Sequence, residues 1–484
     1  MRALTLAQEA GARRWSVSLA GDFDETALRI IDRYVAGADV HIIRRSAQPM
    51  DLPRLMATLS PDVVHIDSYL AESDSLIGTA PIVSNIQDGS FGARRATLTV
   101  DPNLNAESVT PSAPRGQTHL AGVPFALIRQ QVRDVRGTWR PTAGRSRVLI
   151  VLGGTDPFGQ TPHLLDALSP IDRELEITVV APESVRDEVV DAAARSPHNV
   201  EVVDFIDDLP AVAAAQDLVI SAAGTSVWDL ACVGVPAALV CVTENQLLGY
   251  DAAVSEGIAI GLRRSEQQPW SGVAAAITDL LNDRQRLLSL SERGMSAVDG
   301  LGPWRIVGTW EALLHPTEPF EPKTGFIARP ATLDDAKTLL TWRNDPDTRR
   351  MSRTTELVTW ESHVSWLNRV LADEDRLLLI IERQGQAVGT VRWDHRDGID
   401  WEVSISLAPS SRGHGLSPAV LAAGEAAIGI HPTRRLIAAI NDENAASRRL
   451  FEKSGYLPYR PTNDEGFAEY AKLVAPALQA EALG

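Results

Sequence analysis

Two groups of residues in this 484-residue chain have types and spacing suited to holding a diphosphate. The first is Arg412-Gly413-His414-Gly415-Leu416-Ser417, just after an apolar run ending at Leu407 and opening an apolar helical stretch. Glycines at a strand-to-helix turn let the backbone lie against a pyrophosphate and aim unpaired N–H groups at it. Asn441 and Asn444 follow another short apolar run and lead through Ser447, Leu450 and Phe451 to Gly455 and Tyr456. The second group is Gly153-Gly154-Thr155-Asp156 with Gly224-Thr225-Ser226 and Asp229. Its backbone and hydroxyl donors suit a diphosphate, and Asp229, one turn into the helix, can accept from ribose hydroxyls. Thr225 or Ser226 also reads as a plain helix cap. No G-x-G-x-x-G string follows the first strand of that half, which argues against a nicotinamide dinucleotide.

Positioning these groups requires strands that end where the glycines begin. From residue 146 short apolar runs (148–152, 175–181, 200–205, 218–221, 237–242) alternate with helical stretches (161–168, 185–194). Near-continuous Val/Ile/Leu strands separated by helices predict a parallel sheet covered on both faces. Runs at 15–19, 39–43, 63–66 and 81–86 predict a second such sheet upstream. Beyond a linker rich in proline and charge the pattern changes. Runs at 377–382, 387–393 and 401–407 predict an antiparallel meander, flanked by helices at 332–344, 360–371 and 416–428. The expected division is 1–121 and 122–314 for two doubly wound halves, 315–324 for the linker, and 325–484 for an α+β domain.

Composition narrows the partners. Lys+Arg number 46 and Asp+Glu 63, a difference of −17, which argues against a nucleic-acid or anionic-membrane surface. Cys232 and Cys241 fall in no zinc or redox spacing and read as small buried residues. No metal is expected, nor a leader or membrane span, and the expected location is cytoplasmic.

The first group of motifs, in the α+β region covering 325–473, resembles the GNAT superfamily of acetyl-CoA-dependent N-acetyltransferases. The resemblance implies acetyl-CoA as cosubstrate, held by Leu407, Arg412, Gly413, His414, Gly415, Leu416, Ser417, Asn441 and Asn444. Ser417 stands where the family has Gly or Ala. Glu402 falls where several members place a base acting through water. Phe451 replaces the usual tyrosine acid, which leaves thiolate protonation to Tyr456, to water or to no dedicated group, and packing also explains Tyr456. The run from Arg329 to Asp335, then Trp342, Arg343, Asn344, His363 and Trp366, looks like the subgroup that acetylates amino sugars or ribosomal-protein N-termini. It implies Arg343 and Asn344 on the acceptor side.

Residues 1–314 resemble GT-B nucleotide-sugar enzymes, through Gly224-Thr225-Ser226 with Trp228-Asp229, Gly234-Val235-Pro236 and Glu244-Asn245-Gln246. More narrowly they look like the UDP-sugar hydrolase of pseudaminic acid biosynthesis. That likeness implies a UDP-sugar substrate, Tyr69 and Asn245 at the sugar site, and Arg2, Gly153, Gly154, Thr155, Gly224, Thr225, Ser226, Asp229 and Gln246 as substrate contacts. Asp229 replaces a usual glutamate. The family's first strand and histidine loop have no counterpart before Met1, so the expectation is a longer natural chain, with His65 as a substitute histidine otherwise. The fold expected is a GT-B-like pair of doubly wound domains followed by a GNAT domain. The expected function is N-acetylation of a UDP-4-amino-sugar plus hydrolytic release of UDP. The alternatives are a non-hydrolytic nucleotide-sugar module beside the acetyltransferase, or a protein N-terminal acetyltransferase with an accessory domain. Oligomeric state is left open.

Overall fold

Val/Ile/Leu-rich runs form strands here because they can be buried on both faces between helices. The computed structural model describes residues 2–23, 25–35, 39–42, 52–68, 76, 78–89, 91–109, 118–142, 146–153, 156, 158–264, 269–315, 324–352, 354–429 and 434–474. Two compact units result, one ending at Val307 and the other running from Gly308.

The first unit opens with the helix Arg2–Ala12. Strands β1 (Ser18–Gly21) and β2 (Asp39–Ile42) pair in parallel. Strands β3 (Val63–Ile66), β4 (Ile82–Ile86), β5 (Leu98–Asp101) and β6 (Thr118–Ala121) form a parallel sheet in that order. A larger parallel sheet follows, built from β7 (Ser146–Val151), β8 (Leu175–Val180), β9 (Asn199–Val203), β10 (Leu218–Ala222), β11 (Ala237–Val240) and β12 (Ile260–Arg263). Its order is β12-β11-β10-β7-β8-β9, the doubly wound arrangement that reverses between β7 and β10. Leu149, Ile150, Val219 and Ile220 are fully buried along that central pair. Cys232 and Cys241 are buried and free.

The second unit carries one mixed sheet, from β13 (Phe326–Pro330), β14 (Arg376–Arg383), β15 (Gln386–Asp397), β16 (Asp400–Leu407), β17 (Arg434–Asn441), β18 (Leu457–Arg460) and β19 (Phe467–Val474). The order is β13-β14-β15-β16-β17-β19-β18, and among the described residues the parallel junction is between β16 and β17. The helix Ser417–Ile428 lies against β15, where Gly424 permits the approach: a Cβ there would sit 2.7 Å from Val391. Trp393, fully buried, donates its indole N–H to the Gly424 carbonyl at 3.2 Å and fixes that contact. The architecture is thus a GT-B-like pair of doubly wound sheets followed by an α+β domain of GNAT type.

Candidate active site

In the second unit, β16 pairs with β17 only from Asp400 opposite Arg435 to Val403 opposite Ala438. From Ser404 onward β16 keeps its antiparallel partner β15, with Leu407 opposite Gly389, but loses β17. Parallel strands that part midway leave backbone groups facing the gap, and a ligand carrying amides can complete them. The chain then turns through the short helical segment Pro409–Ser411 into residues 412–416. Gly413 has φ +75° and Gly415 φ +63°, values in the left-handed region that favours glycine, so the turn follows directly from the two residues singled out in the sequence. Leu416 precedes the helix Ser417–Ile428 and Pro418 sits in its first turn, with no side chain capping the end. Ser417 is the first helical residue, and His414 is exposed.

The side chain of Arg412 turns toward the start of the domain. Its Nη1 donates to Asp345 at 2.5 Å and its Nη2 to the Thr348 hydroxyl at 2.6 Å. Asp345 also caps the helix Pro346–Arg350, accepting from the N–H groups of Asp347 and Thr348. The Arg412 hydrogen bond, first, then the Thr348 N–H, hold the Asp345 carboxyl below the usual carboxylate range. Arg412 therefore pins the turn to the helix Pro346–Arg350 and its cap.

Other expected residues are committed elsewhere. Glu402 accepts from Arg396 Nε at 2.9 Å and Nη2 at 2.7 Å, and Arg396 reaches Glu469 at 2.8 Å. Tyr456 is buried, stacks edge-on against Phe451, and donates to Glu425 at 3.0 Å; Lys472 donates to the other Glu425 oxygen at 2.7 Å. Burial, then Glu425, raises the Tyr456 phenol well above its ordinary pKa, so it keeps its proton throughout the neutral range. Asn441 accepts from the Glu443 N–H at 2.9 Å, and Asn444 caps the helix Ala445–Lys453 through the Ser447 N–H at 3.0 Å. Asn344 spends both ends of its amide on Val358, donating to its carbonyl and accepting from its N–H at 2.8 Å each. His363 is buried and stacked on Trp366.

In the first unit the glycines Gly153 and Gly224 follow β7 and β10, the two strands flanking the reversal in strand order, where open α/β sheets take ligands. Gly153 has φ +91°. Asp156 is buried and receives the Gln160 and Thr161 N–H groups at 2.9 Å, ordering the start of the helix Gln160–Leu168. Thr225 and Ser226 are exposed, and Thr225 makes no capping bond to the helix Ser226–Val233, so the cap reading gains no support. Asp229 accepts from Arg129 Nη2 at 3.1 Å; burial pushes its carboxyl upward and Arg129 opposes that. Gln246 accepts from the Val242 N–H at 3.0 Å. Arg2 is shared between Asp67 at 2.6 Å and Asp88 at 2.7 Å, two carboxylates after β3 and β4. His65 is half-buried in β3, and desolvation of its ring lowers its pKa to about 4. Tyr69, Gly154, Thr155 and the Asn245 side chain lie outside the described residues. Arg129, the partner of Asp229, was not singled out as a contact and emerges only from the fold. Among the described residues no group of His, Cys, Asp and Glu is placed to hold a metal, and no helix is long and apolar enough to cross a membrane.

The fold is that of GT-B-like α/β domains followed by an α+β domain of GNAT type. Residues 326–457 match the acetyltransferase (GNAT) domain family, and residues 148–300 match the glycosyltransferase family 28 C-terminal domain. A curated relative, the UDP-N-acetylglucosamine--N-acetylmuramyl-(pentapeptide) pyrophosphoryl-undecaprenol N-acetylglucosamine transferase of Rhodopseudomonas palustris, is 26 % identical over 251 residues, 49 % of this chain and 65 % of its own length. The chain thus spans just under two thirds of that relative. The crystal structure of Acinetobacter baumannii MurG is 18 % identical with a TM-score of 0.48, covering 64 % of this chain and 95 % of that one. An aminoglycoside acetyltransferase solved with coenzyme A is 21 % identical with a TM-score of 0.27, covering 30 % of this chain and 94 % of that one. These matches correct the narrower expectation for residues 1–314. The likeness is to a family 28 glycosyltransferase, not to the UDP-sugar hydrolase of pseudaminic acid biosynthesis. The glycine turns and the E-N-Q segment suit a nucleotide sugar in either family and so could not separate them.

Proposed function

We propose that the second unit transfers an acetyl group from acetyl-CoA to the amino group of a nucleotide-linked amino sugar, and that the first unit is a nucleotide-sugar binding or transferase module. The parting of β16 from β17 beside the uncapped turn at 413–417 carries the reading. A gap lined by backbone groups suits the two amides of pantetheine, and the N–H groups of the turn suit a pyrophosphate. When bound, acetyl-CoA supplies an activated thioester. Leu407 and the end of β16 orient the pantetheine arm, residues 412–417 hold the diphosphate, and Arg412 keeps the turn in register through Asp345 and Thr348. Glu402, held in place by Arg396, accepts the ammonium proton through water. Tyr456, committed to Glu425, serves packing and leaves thiolate protonation to solvent.

In the first unit the reading places a nucleoside diphosphate across the carboxyl ends of β7 and β10, with Gly153, Gly224, Thr225 and Ser226 as donors and Arg129 and Asp229 beside them. UDP-N-acetylglucosamine, named in that relative's activity, supports a UDP-sugar here. The test is incubation of the full chain and acetyl-CoA with a UDP-4-amino-sugar or with a peptide amine, following free thiol and product mass. Acetylation of the sugar nucleotide is expected; acetylation of the peptide alone defeats the reading.

A further inference from the structure

Arg343 ends the helix Ala336–Arg343 and Arg349 lies in the helix Pro346–Arg350. Arg343 Nη2 donates to the Thr354 carbonyl at 2.7 Å and Arg349 Nη1 to the Thr355 carbonyl at 2.9 Å. Two guanidinium groups therefore converge on adjacent peptide units. The neighbouring cations are matched: Arg412 by Asp345 and Arg350 by Asp347. Among the described residues neither Arg343 nor Arg349 has a carboxylate partner, and the buried nitrogens Arg343 Nη1 and Arg349 Nε have no acceptor. Burial, then repulsion from Arg349, draws the Arg343 pKa below its ordinary value.

Two like charges, each with a buried donor left over, form an electrostatically incomplete pair. A phosphate group completes it, because its several oxygens match planar guanidinium forks. The pair adjoins the acyl-donor turn, since Thr348, next to Arg349, accepts from Arg412. The pinned segment also leads to two exposed apolar side chains, Leu357 at 68 % and Trp360 at 49 %, a surface suited to a planar ring. We propose that Arg343 and Arg349 bind the phosphate groups of the acetyl acceptor, so that this domain selects amines carried on phosphorylated, nucleotide-linked molecules. The proposal rests on the acetyltransferase reading. It assigns the pair to the acceptor and not to coenzyme A because the turn at 413–417 already offers a separate donor set for a pyrophosphate.

The test compares a UDP-linked 4-amino-sugar with the same amino sugar free of nucleotide, using the full chain. In Arg349→Gln and Arg343→Gln the KM for the linked acceptor should rise about tenfold, while that for acetyl-CoA moves less than about twofold. Arg349→Lys, which keeps the charge and loses the fork, should fall between and serves if the glutamine variants fail to fold. A rise in the acetyl-CoA KM instead, an equal rise for linked and free acceptors, or no change overturns the proposal. An arm independent of acetyl transfer titrates inorganic pyrophosphate into CoA-saturated protein by calorimetry. Loss of one bound equivalent in Arg349→Gln sustains the anion site even where no amino sugar is acetylated, and unchanged stoichiometry refutes it.

Discussion

Two strand-to-helix turns in this molecule carry glycine in different frames, with positive φ at Gly413 and Gly415 and an ordinary φ at Gly224. The turn after β10 lies at the reversal of an all-parallel sheet, and Asp229, one turn into the helix that follows, meets Arg129 from the crossover segment. The turn after β16 lies beside a strand pair that separates, and its own basic residue, Arg412, faces away onto Asp345. Glycine turns alone therefore say "phosphate"; what surrounds them says which molecule carries it. A turn beside an ion pair suits a nucleotide sugar, and a strand gap suits a long amide-bearing arm.

The sharpest way to separate the two turns is Gly415→Val. A β-branched residue at φ +63° costs about 1–3 kcal/mol, so the KM for acetyl-CoA should rise about ten- to a hundredfold with UDP binding to the first unit unchanged. Loss of both functions in a folded protein would break the comparison. Next in size, Arg129→Gln or Asp229→Asn leaves one partner of the pair uncompensated and should weaken UDP binding about tenfold by calorimetry, with acetyl-CoA binding intact. Acetyl-CoA binding that falls in step would contradict the division of labour.

A smaller effect is expected for Arg412→Ala, about fivefold in kcat/KM, with Asp345→Asn giving nearly the same loss and the double variant adding little. Its pH dependence has a defined sign. The Asp345 carboxyl is held low in the folded state, so this contribution to stability is complete above the ordinary carboxylate range and is lost as pH falls through its folded pKa. The difference in Tm between the native protein and Arg412→Ala should shrink as scans move from about pH 6 to about pH 3. Smallest in activity is Tyr456→Phe, which should change kcat by less than about twofold and cost about 1 kcal/mol in stability. A larger fall in kcat restores Tyr456 as the thiolate's acid.

Much of the scaffold was legible because burial on both faces leaves a strong apolar signature. The run at 63–66 is β3 residue for residue, and the predicted 401–407 strand is β16 to within a residue. Short strands with polar members, such as β5 (Leu-Thr-Val-Asp) and β12 (Ile-Gly-Leu-Arg), carry no such pattern and were missed. The glycine turns at Gly153 and at Gly413 and Gly415 were legible too, since positive φ selects the residue type. Side-chain commitments were not: that Arg412 meets Asp345, 67 residues away, or that Asn344 closes on Val358, depends on packing between distant segments. Glu402 shows the same limit, its Arg396 partner being set by a strand turn and not by motif.

The central claim is that the gap between β16 and β17, with the turn beyond it, receives acetyl-CoA. Hydrogen exchange on the full chain with and without acetyl-CoA tests it directly. Slowed exchange confined to the amides of 404–407 and 413–417 is the predicted result. Binding of acetyl-CoA that leaves those amides unchanged and protects others would contradict the account.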